Sequence, residues 1–276
     1  MRLLTSGIFG ATVLLALTAC ASAPAPVPSV WPTSTASAQI ALPPAGANPD
    51  YQLGGAYDPP DGVAIVARDR TADPAPGLYS ICYVNAFQTQ PGELADWPGE
   101  LILKDASGEP VRDPDWPDEA IVDTRDAAAV AAIVTPWIDA CAASGFDAVE
   151  FDNLDTYTRT DGTLTRDDNL TVATLLVRAA HDAGLAAGQK NAAEDARLLH
   201  DRAGFDFAVT EECAVWDECG AYTAVYGDAV IAVEYTDDLP RPFAAMCESD
   251  LPPSAVLRDR DLTTPGDPAY VFETCR

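Results

Sequence analysis

Between residues 126 and 143, Val130, Ile133, Val134, Trp137, Ile138 and Cys141 recur at helical spacing, and Ser144-Gly145 closes the run. Residues 146–152 follow as a short half-apolar strand. A second helix is predicted over about 168–183, ended by Gly184, then a strand over 185–191. Residues 192–203 read as a helix stopped by Gly204, and 205–212 as a strand. Residues 230–235 and 255–258 continue the strand series. Upstream, 51–53, 63–67 and 78–85 also have strand patterning.

These eight strands, the later ones mostly separated by helices, imply parallel neighbours with right-handed crossovers. Eight of them predict closure into a (β/α)8 TIM-type barrel occupying residues 49–276 as a single domain. An open doubly wound sheet is the alternative. Residues 88–124 break the rhythm with many Pro, Asp and Trp residues and are expected to form an elaborated loop.

The N-terminus obeys other rules. Arg2, an apolar run to Leu17 and small residues at Thr18-Ala19 describe a secretory signal peptide over 1–19. Leu17-Thr-Ala-Cys20 resembles a bacterial lipobox, making Cys20 the lipidation site and predicting an anchor to the outer face of the cell membrane. Ordinary cleavage near Ala23, which discards Cys20 and leaves the protein extracellular, is the competing reading. Residues 20–48, rich in Ala, Pro and Ser, read as a tether.

The chain carries 43 acidic and 16 basic residues, a formal net charge of −27. Phosphates are repelled by such a surface, which argues against a nucleic-acid partner and favours a cationic or neutral one. Of seven cysteines, six remain once Cys20 is set aside, an even number that suits disulfides in an exported protein. Cys213 and Cys219 bracket one loop, Cys247 and Cys275 can tie the last helix to the C-terminus, and Cys82 is left for Cys141. Six cysteines nevertheless allow 15 pairings.

In a barrel, chemistry sits at the C-terminal ends of the strands. Here those ends carry Gln52, Arg68-Asp69, Asn85, Glu150 to Asp155, Gln189 to Asn191, Glu211-Glu212, Glu234-Tyr235 and Arg258-Asp259. Side-chain alternation puts Glu150 and Asp152 on one face and Phe151 on the other. Acids from this edge and from Glu211-Glu212 can therefore meet across a pocket, as glycoside hydrolysis requires. Lys190, on the strand between, can keep one carboxylate ionised.

The run from Gly145 to Tyr157 (GFDAVEFDNLDTY) resembles the core motif of glycoside hydrolase family 114, the endo-α-1,4-polygalactosaminidase-like proteins. Fragments at residues 51–53, 82–85, 188–191, 211–213 and 257–259 extend the likeness, in order, from Tyr51 to Cys275. The resemblance implies a TIM barrel that cleaves α-1,4-linked galactosamine-containing polysaccharide. By position it makes Asp152 and Glu211 the catalytic pair, with Glu212 and Glu150 as alternates.

The expected roles follow: Asp152 as nucleophile or base and Glu211 (or Glu212) as general acid. Asn153, Asp155, Tyr157, Lys190 and Asn191 would orient the sugar, and Gln52, Asp69, Asn85, Glu234, Tyr235, Arg258 and Asp259 complete the substrate-binding set. Trp97, Trp116 and Trp216 are candidates for sugar stacking, whereas Trp137 belongs to a helix core. His181 and His200 fall in helices away from strand ends, against a histidine-based triad. No cofactor is expected, and the protein is read as a monomer. Two rivals remain. One is a non-catalytic carbohydrate-binding envelope lipoprotein, and the other is a metal-dependent hydrolase holding Mg2+ or Ca2+ on Asp152, Asp155 and Glu150.

Overall fold

The computed structural model describes residues 40–275. The expected leader, Cys20 and most of the expected tether lie outside them. Residues 40–48, expected as tether, instead pack on the barrel. Ile40 and Ala47 join the apolar cluster inside it, and the Ala41 carbonyl accepts from the Tyr79 hydroxyl at 2.8 Å.

Eight parallel strands follow one another in sequence order: β1 (Asn48–Tyr51), β2 (Val63–Asp69), β3 (Tyr79–Asn85), β4 (Ala148–Asp152), β5 (Ala186–Lys190), β6 (Phe207–Glu211), β7 (Val230–Tyr235) and β8 (Ser254–Arg258). A short β9 (Phe272–Thr274) adds antiparallel to β8. The helices are α1 (Ala127–Ser144), α2 (Arg166–Asp182), α3 (Ala196–Leu198, running into a π-helical turn over Leu199–Ala203), α4 (Cys219–Tyr226) and α5 (Phe243–Cys247). The structure is a TIM-type barrel whose crossovers β1–β2 and β2–β3 are loops rather than helices. The first strand spans 48–51, earlier than the 51–53 read from pattern, because Pro49 and Asp50 are buried against β2.

Alternation along the strands separates two cores. Ile65, Ala67, Ile81, Ala148, Ala186, Phe207, Val209, Ile231, Val233 and Val256 fill the barrel interior. Their neighbours Cys82, Val84, Val149, Phe151, Ala187, Ala208, Ala232 and Leu257 face the helical layer. Phe207 reaches the middle of the barrel because β5 carries Gly188 beside it. A Cβ at Gly188 would sit 2.5 Å from the Phe207 ring. Burying a phenylalanine of this kind contributes about 1.5–3 kcal/mol.

Local signals fix the helix ends. Asp126 caps α1 by accepting from the Ala129 amide, and Gly145 ends it in the left-handed region at φ 95°. Thr165 and Asp168 form a reciprocal capping box on α2. Disulfides join Cys82 to Cys141, Cys213 to Cys219 and Cys247 to Cys275. The first ties β3 to α1, and the second clamps the loop leaving β6.

The barrel seam lies between β8 and β1. The described residues show no backbone ladder there, and one side chain spans the gap. Arg258, fully buried, donates to Asp50 Oδ1 at 3.0 Å, to the Tyr51 carbonyl, to Thr263 O at 2.8 Å and to Val271 O at 2.9 Å.

The expected loop over 88–124 is an ordered ribbon. Antiparallel bridges pair Gln88 with Ile121, Ile102 with Val122 and Arg112 with Ala120. Leu103 and Ile121 pack with Leu164 in a small core of their own.

Candidate active site

A cleft of about 530 Å³ opens at the C-terminal ends of the strands. Parity along each strand decides what enters it. Continuing the inward series of each strand places Asp69, Tyr83, Asp152, Lys190, Glu211 and Tyr235 at the cleft floor, with Tyr51 and Glu150 one layer below.

Lys190 is the hub. Its Nζ lies 3.1 Å from Glu211 Oε2, 3.4 Å from Asp152 Oδ2, 3.6 Å from Glu150 Oε1 and 3.1 Å from the Tyr51 hydroxyl. Burial disfavours the ammonium. The surrounding charges of Asp152, Glu211 and Glu150 overcome that cost and hold its pKa well above the ordinary lysine value.

Asp152 is held from three sides. Tyr83 donates to Oδ2 at 2.7 Å, the Asn153 amide donates to Oδ1 at 2.7 Å, and Lys190 lies beyond. Glu211 accepts from Tyr235 at 2.5 Å on Oε1 and from Asn191 at 3.1 Å on Oε2, while its amide donates to Asn191 Oδ1 at 2.8 Å. Burial alone would raise the Glu211 pKa. Lys190, Tyr235 and Asn191 outweigh burial and bring it below the ordinary glutamate value.

Glu150 behaves differently. Fully buried, it accepts from Tyr51 at 2.7 Å through Oε1, while its Oε2 has no hydrogen-bond partner among the described residues. Burial raises its pKa to about 7, only partly offset by Lys190 and Tyr51.

The first residue after β4, β5 and β6 is left-handed in each case: Asn153 (φ 62°), Asn191 (φ 50°) and Glu212 (φ 56°). Asparagine tolerates this conformation, and at both positions its amide is used on a neighbour. Glu212 has no such tolerance. It turns to the rim, where Arg260 grips both its oxygens at 2.6 and 3.0 Å. Arg260 also pairs with Asp237 and stacks on Tyr235. Glu211 meets Asp152 across Lys190, and Glu212 does not.

Not every expected residue reaches the cleft. Glu234 is outward by parity, since Val233 and Tyr235 point inward, and it accepts from the Ala214 amide at 3.1 Å beside the Cys213–Cys219 disulfide. Gln52 is buried, donating to Asp50 at 2.7 Å and accepting from Arg68 at 2.9 Å. Arg258 closes the seam, and Asp259 accepts from the Thr263 and Val271 amides. Tyr157 donates to Asp195 at 2.7 Å, away from the pocket. Asn85 sits behind the wall, bonded to Glu119 at 3.0 Å and accepting from Asn153 at 3.1 Å. Asp155 lines the cleft but is paired with Arg159 at 3.2 Å. Trp97 is buried edge-on against Trp137, and Trp216 is exposed but outside the cleft. Only Trp116 of the three stacking candidates lines it.

The residues that pattern reading missed are Tyr51, Tyr83, Glu119 and Arg260. The two tyrosines were legible as inward strand positions next to acids. Glu119 lies in the ribbon and Arg260 beyond β8, and no local periodicity marks either.

Of the three carboxylates of the metal reading, Asp152 Oδ2 and Glu150 Oε1 face the Lys190 ammonium at 3.4 and 3.6 Å, and Asp155 is paired with Arg159 at 3.2 Å. Nine carboxylates and three cationic side chains line the cleft. At the opposite end of the barrel a wider, open groove is lined by Leu42, Pro44, Pro74 and Pro76. Its one carboxylate, Asp147, is taken by the Ser80 amide at 2.8 Å.

A TIM-type barrel with two carboxylates facing each other at its C-terminal edge is the architecture of a glycoside hydrolase. The profile of glycoside-hydrolase family GH114 matches residues 30–276, and the chain belongs to that family. Among solved structures it is similar to Aspergillus fumigatus Ega3 in complex with galactosamine: TM-score 0.69, 23% identity, 84% of this chain and 96% of that one covered. It is also similar to the glycoside hydrolase domain of PelA from Pseudomonas aeruginosa: TM-score 0.59, 14% identity, 82% and 98% covered. No curated protein matches the chain.

Proposed function

We propose that this glycoside hydrolase cleaves α-1,4-linked galactosamine-containing polysaccharide, with Asp152 as nucleophile and Glu211 as general acid and base. The observation that carries the reading is the shared lysine: Asp152 Oδ2 and Glu211 Oε2 lie 3.4 and 3.1 Å from one ammonium. The two oxygens are therefore no farther apart than those distances combined. Inverting enzymes keep their carboxyl groups roughly 6.5–9.5 Å apart to admit a water, whereas retaining enzymes keep them about 5–5.5 Å apart. The close spacing supports retention through a glycosyl-enzyme intermediate.

Tyr83, the Asn153 amide and Lys190 hold Asp152 aimed for attack on the anomeric carbon. As the glycosidic bond breaks, Glu211 passes its proton to the leaving oxygen, then takes one back from the water that releases the sugar. Glu211 must be protonated for the first step. In the free enzyme Lys190, Tyr235 and Asn191 outweigh the burial that favours that form, so the acid-competent fraction grows as pH falls.

The surplus of carboxylates around the cleft supports a substrate carrying free amines, as does the galactosamine bound by Ega3. The three disulfides suit an oxidising compartment. Together with the expected leader and Cys20 they support a role outside the cell, tethered to the membrane.

The test is product analysis on an α-1,4-galactosamine polymer. Wild type should release oligomers, Asp152→Asn and Glu211→Gln should each lose at least about a thousandfold in rate, and both should melt cooperatively. Binding without cleavage by the wild-type chain would instead make it a carbohydrate-binding protein.

A further inference from the structure

Among the ribbon residues that line the cleft and take no part in the chemistry above are Trp116 and Glu119. Trp116 is 60% exposed, an unusual place for an indole with no packing duty. Its flat apolar face is the kind of surface on which sugar rings stack.

The turn that carries it is fixed. Asp113 Oδ1 accepts from the Asp115 amide at 2.9 Å and the Trp116 amide at 3.3 Å, and the Glu119 amide donates to Trp116 O at 2.9 Å. Asp113 is itself buried, bonded to Gln88 at 2.7 Å and paired with Arg159 at 3.0 Å. Arg159 in turn donates to Asn153 Oδ1 at 3.0 Å. The ribbon tip is thus bolted to the residue that follows Asp152.

Glu119 is registered the same way. Asn85 donates to its Oε2 at 3.0 Å and accepts from Asn153 at 3.1 Å. Asn85 engages only one of the two oxygens. Burial raises the Glu119 carboxyl to about 7, with nearby Asp152 and Asp113 adding to the rise and Asn85 and Arg159 opposing it. An ammonium group arriving beside it would supply the charge that the site lacks.

We infer that Trp116 and Glu119 form a specificity-determining subsite for the sugar next to the one being cleaved. Trp116 stacks on the ring, and Glu119 accepts the ring's free ammonium group. The inference rests on the amino-sugar reading above and adds which residues read the amine. An N-acetyl group has no charge to offer Glu119 and brings extra bulk toward it, so the subsite discriminates against acetylated units.

The experiment is calorimetric titration of α-1,4-galactosamine oligomers, and of their N-acetylated counterparts, onto the full chain carrying Glu211→Gln at pH 7. Adding Glu119→Gln should weaken free-amine binding by at least about tenfold, because a charge-assisted hydrogen bond is lost, and leave the acetylated oligomer within about twofold. Trp116→Ala should weaken both oligomers together, and Glu119→Asp should keep the preference for the amine. Equal loss on both oligomers with Glu119→Gln, or no loss, overturns the assignment. Melting curves identify any variant that fails to fold, and the Glu119→Asp result then decides. If the wild-type chain binds in this pattern but cleaves nothing, the hydrolase reading falls and the subsite stands. If it cleaves and Glu119→Gln keeps the amine preference, the subsite falls and hydrolysis stands.

Discussion

Tyr83 on β3 donates its phenolic hydrogen bond to Asp152 Oδ2 on β4 at 2.7 Å, across in-register neighbours: Tyr83 pairs with Glu150, and Asp152 lies one inward step further. The hydroxyl fixes the carboxylate's orientation, and in the proposed mechanism this matters most as Asp152 approaches the anomeric carbon. Tyr83→Phe should therefore lower kcat by about ten- to a hundredfold with a smaller change in KM. Steady-state kinetics on a galactosamine oligomer check this, and a change confined to KM would mean that Tyr83 only binds substrate.

Lys190 is the buried cation that three carboxylates share. Its removal leaves Glu150, Asp152 and Glu211 facing one another in a poorly solvated floor. Breaking a buried charge pair this way costs about 3–5 kcal/mol, so Lys190→Met should melt far below wild type near neutral pH. Without the ammonium the Glu150 and Glu211 pKa values rise, which makes the loss worst above them and relieves it as pH falls. The variant should recover part of its Tm between about pH 8 and pH 5. A deficit independent of pH would show that Lys190 stabilises by packing alone.

The pH dependence of catalysis follows from the net depression of Glu211 by Lys190, Tyr235 and Asn191 against its burial. A general acid works protonated. The fraction of free enzyme ready to act is thus largest at acid pH and falls as pH rises through a value below the ordinary 4.5. The kcat/KM profile should decline across about pH 4.5 to 7, and Tyr235→Phe, which removes one stabilising donor, should move that limb upward. A profile flat to neutral pH would remove Glu211 from the acid's role.

The barrel and its alternation were legible because apolar periodicity reports burial, and burial is what strands and helices are selected to achieve. The Asp152 and Glu211 pair was legible because both end strands two steps apart. Phase was harder to read. Glu234 ends a strand as Glu211 does, but one residue out of step, and it faces the helices while Tyr235 takes the cleft. Gln52, Arg258 and Asp259 lie at strand ends too, yet Arg258 spans the β8–β1 seam that lacks a ladder, Gln52 accepts from Arg68, and Asp259 accepts from the Thr263 amide. Glu119 and Trp116 reach the cleft only through the ribbon's long-range pairing, which no local pattern encodes.

Glu150 offers a stability test distinct from catalysis. Its carboxyl is raised from 4.5 to about 7 by burial, so the folded state favours the proton more than the unfolded chain does. Its contribution is complete below about pH 4.5 and is lost as pH rises through about 7. Glu150→Gln keeps the shape and removes the titration. The variant's Tm should fall less than that of wild type between about pH 5 and 7.5. Identical slopes would show that Glu150 stays ionised beside Lys190 throughout.

Arg258 carries the last prediction, because it does the work of a missing strand pairing. Its guanidinium is wholly buried and bonded to Asp50, Tyr51, Thr263 and Val271, which lie on both sides of the β8–β1 seam and in the segment leading to β9. A lysine cannot reproduce that fan, since its single nitrogen presents three donors from one point rather than five from a planar fork. Arg258→Lys should cost about 2–4 kcal/mol, from lost charge-assisted bonds and a carboxylate at Asp50 left short of its partner. The loss should be local at first. Amide exchange should accelerate in β1 and β8 before β4 or β5, because only the former depend on the seam. Since Tyr51 leads from β1 to Glu150 and Lys190, a loosened seam should also lower kcat although Arg258 touches no substrate. Uniform acceleration across all strands, with kcat unchanged, would place barrel closure elsewhere.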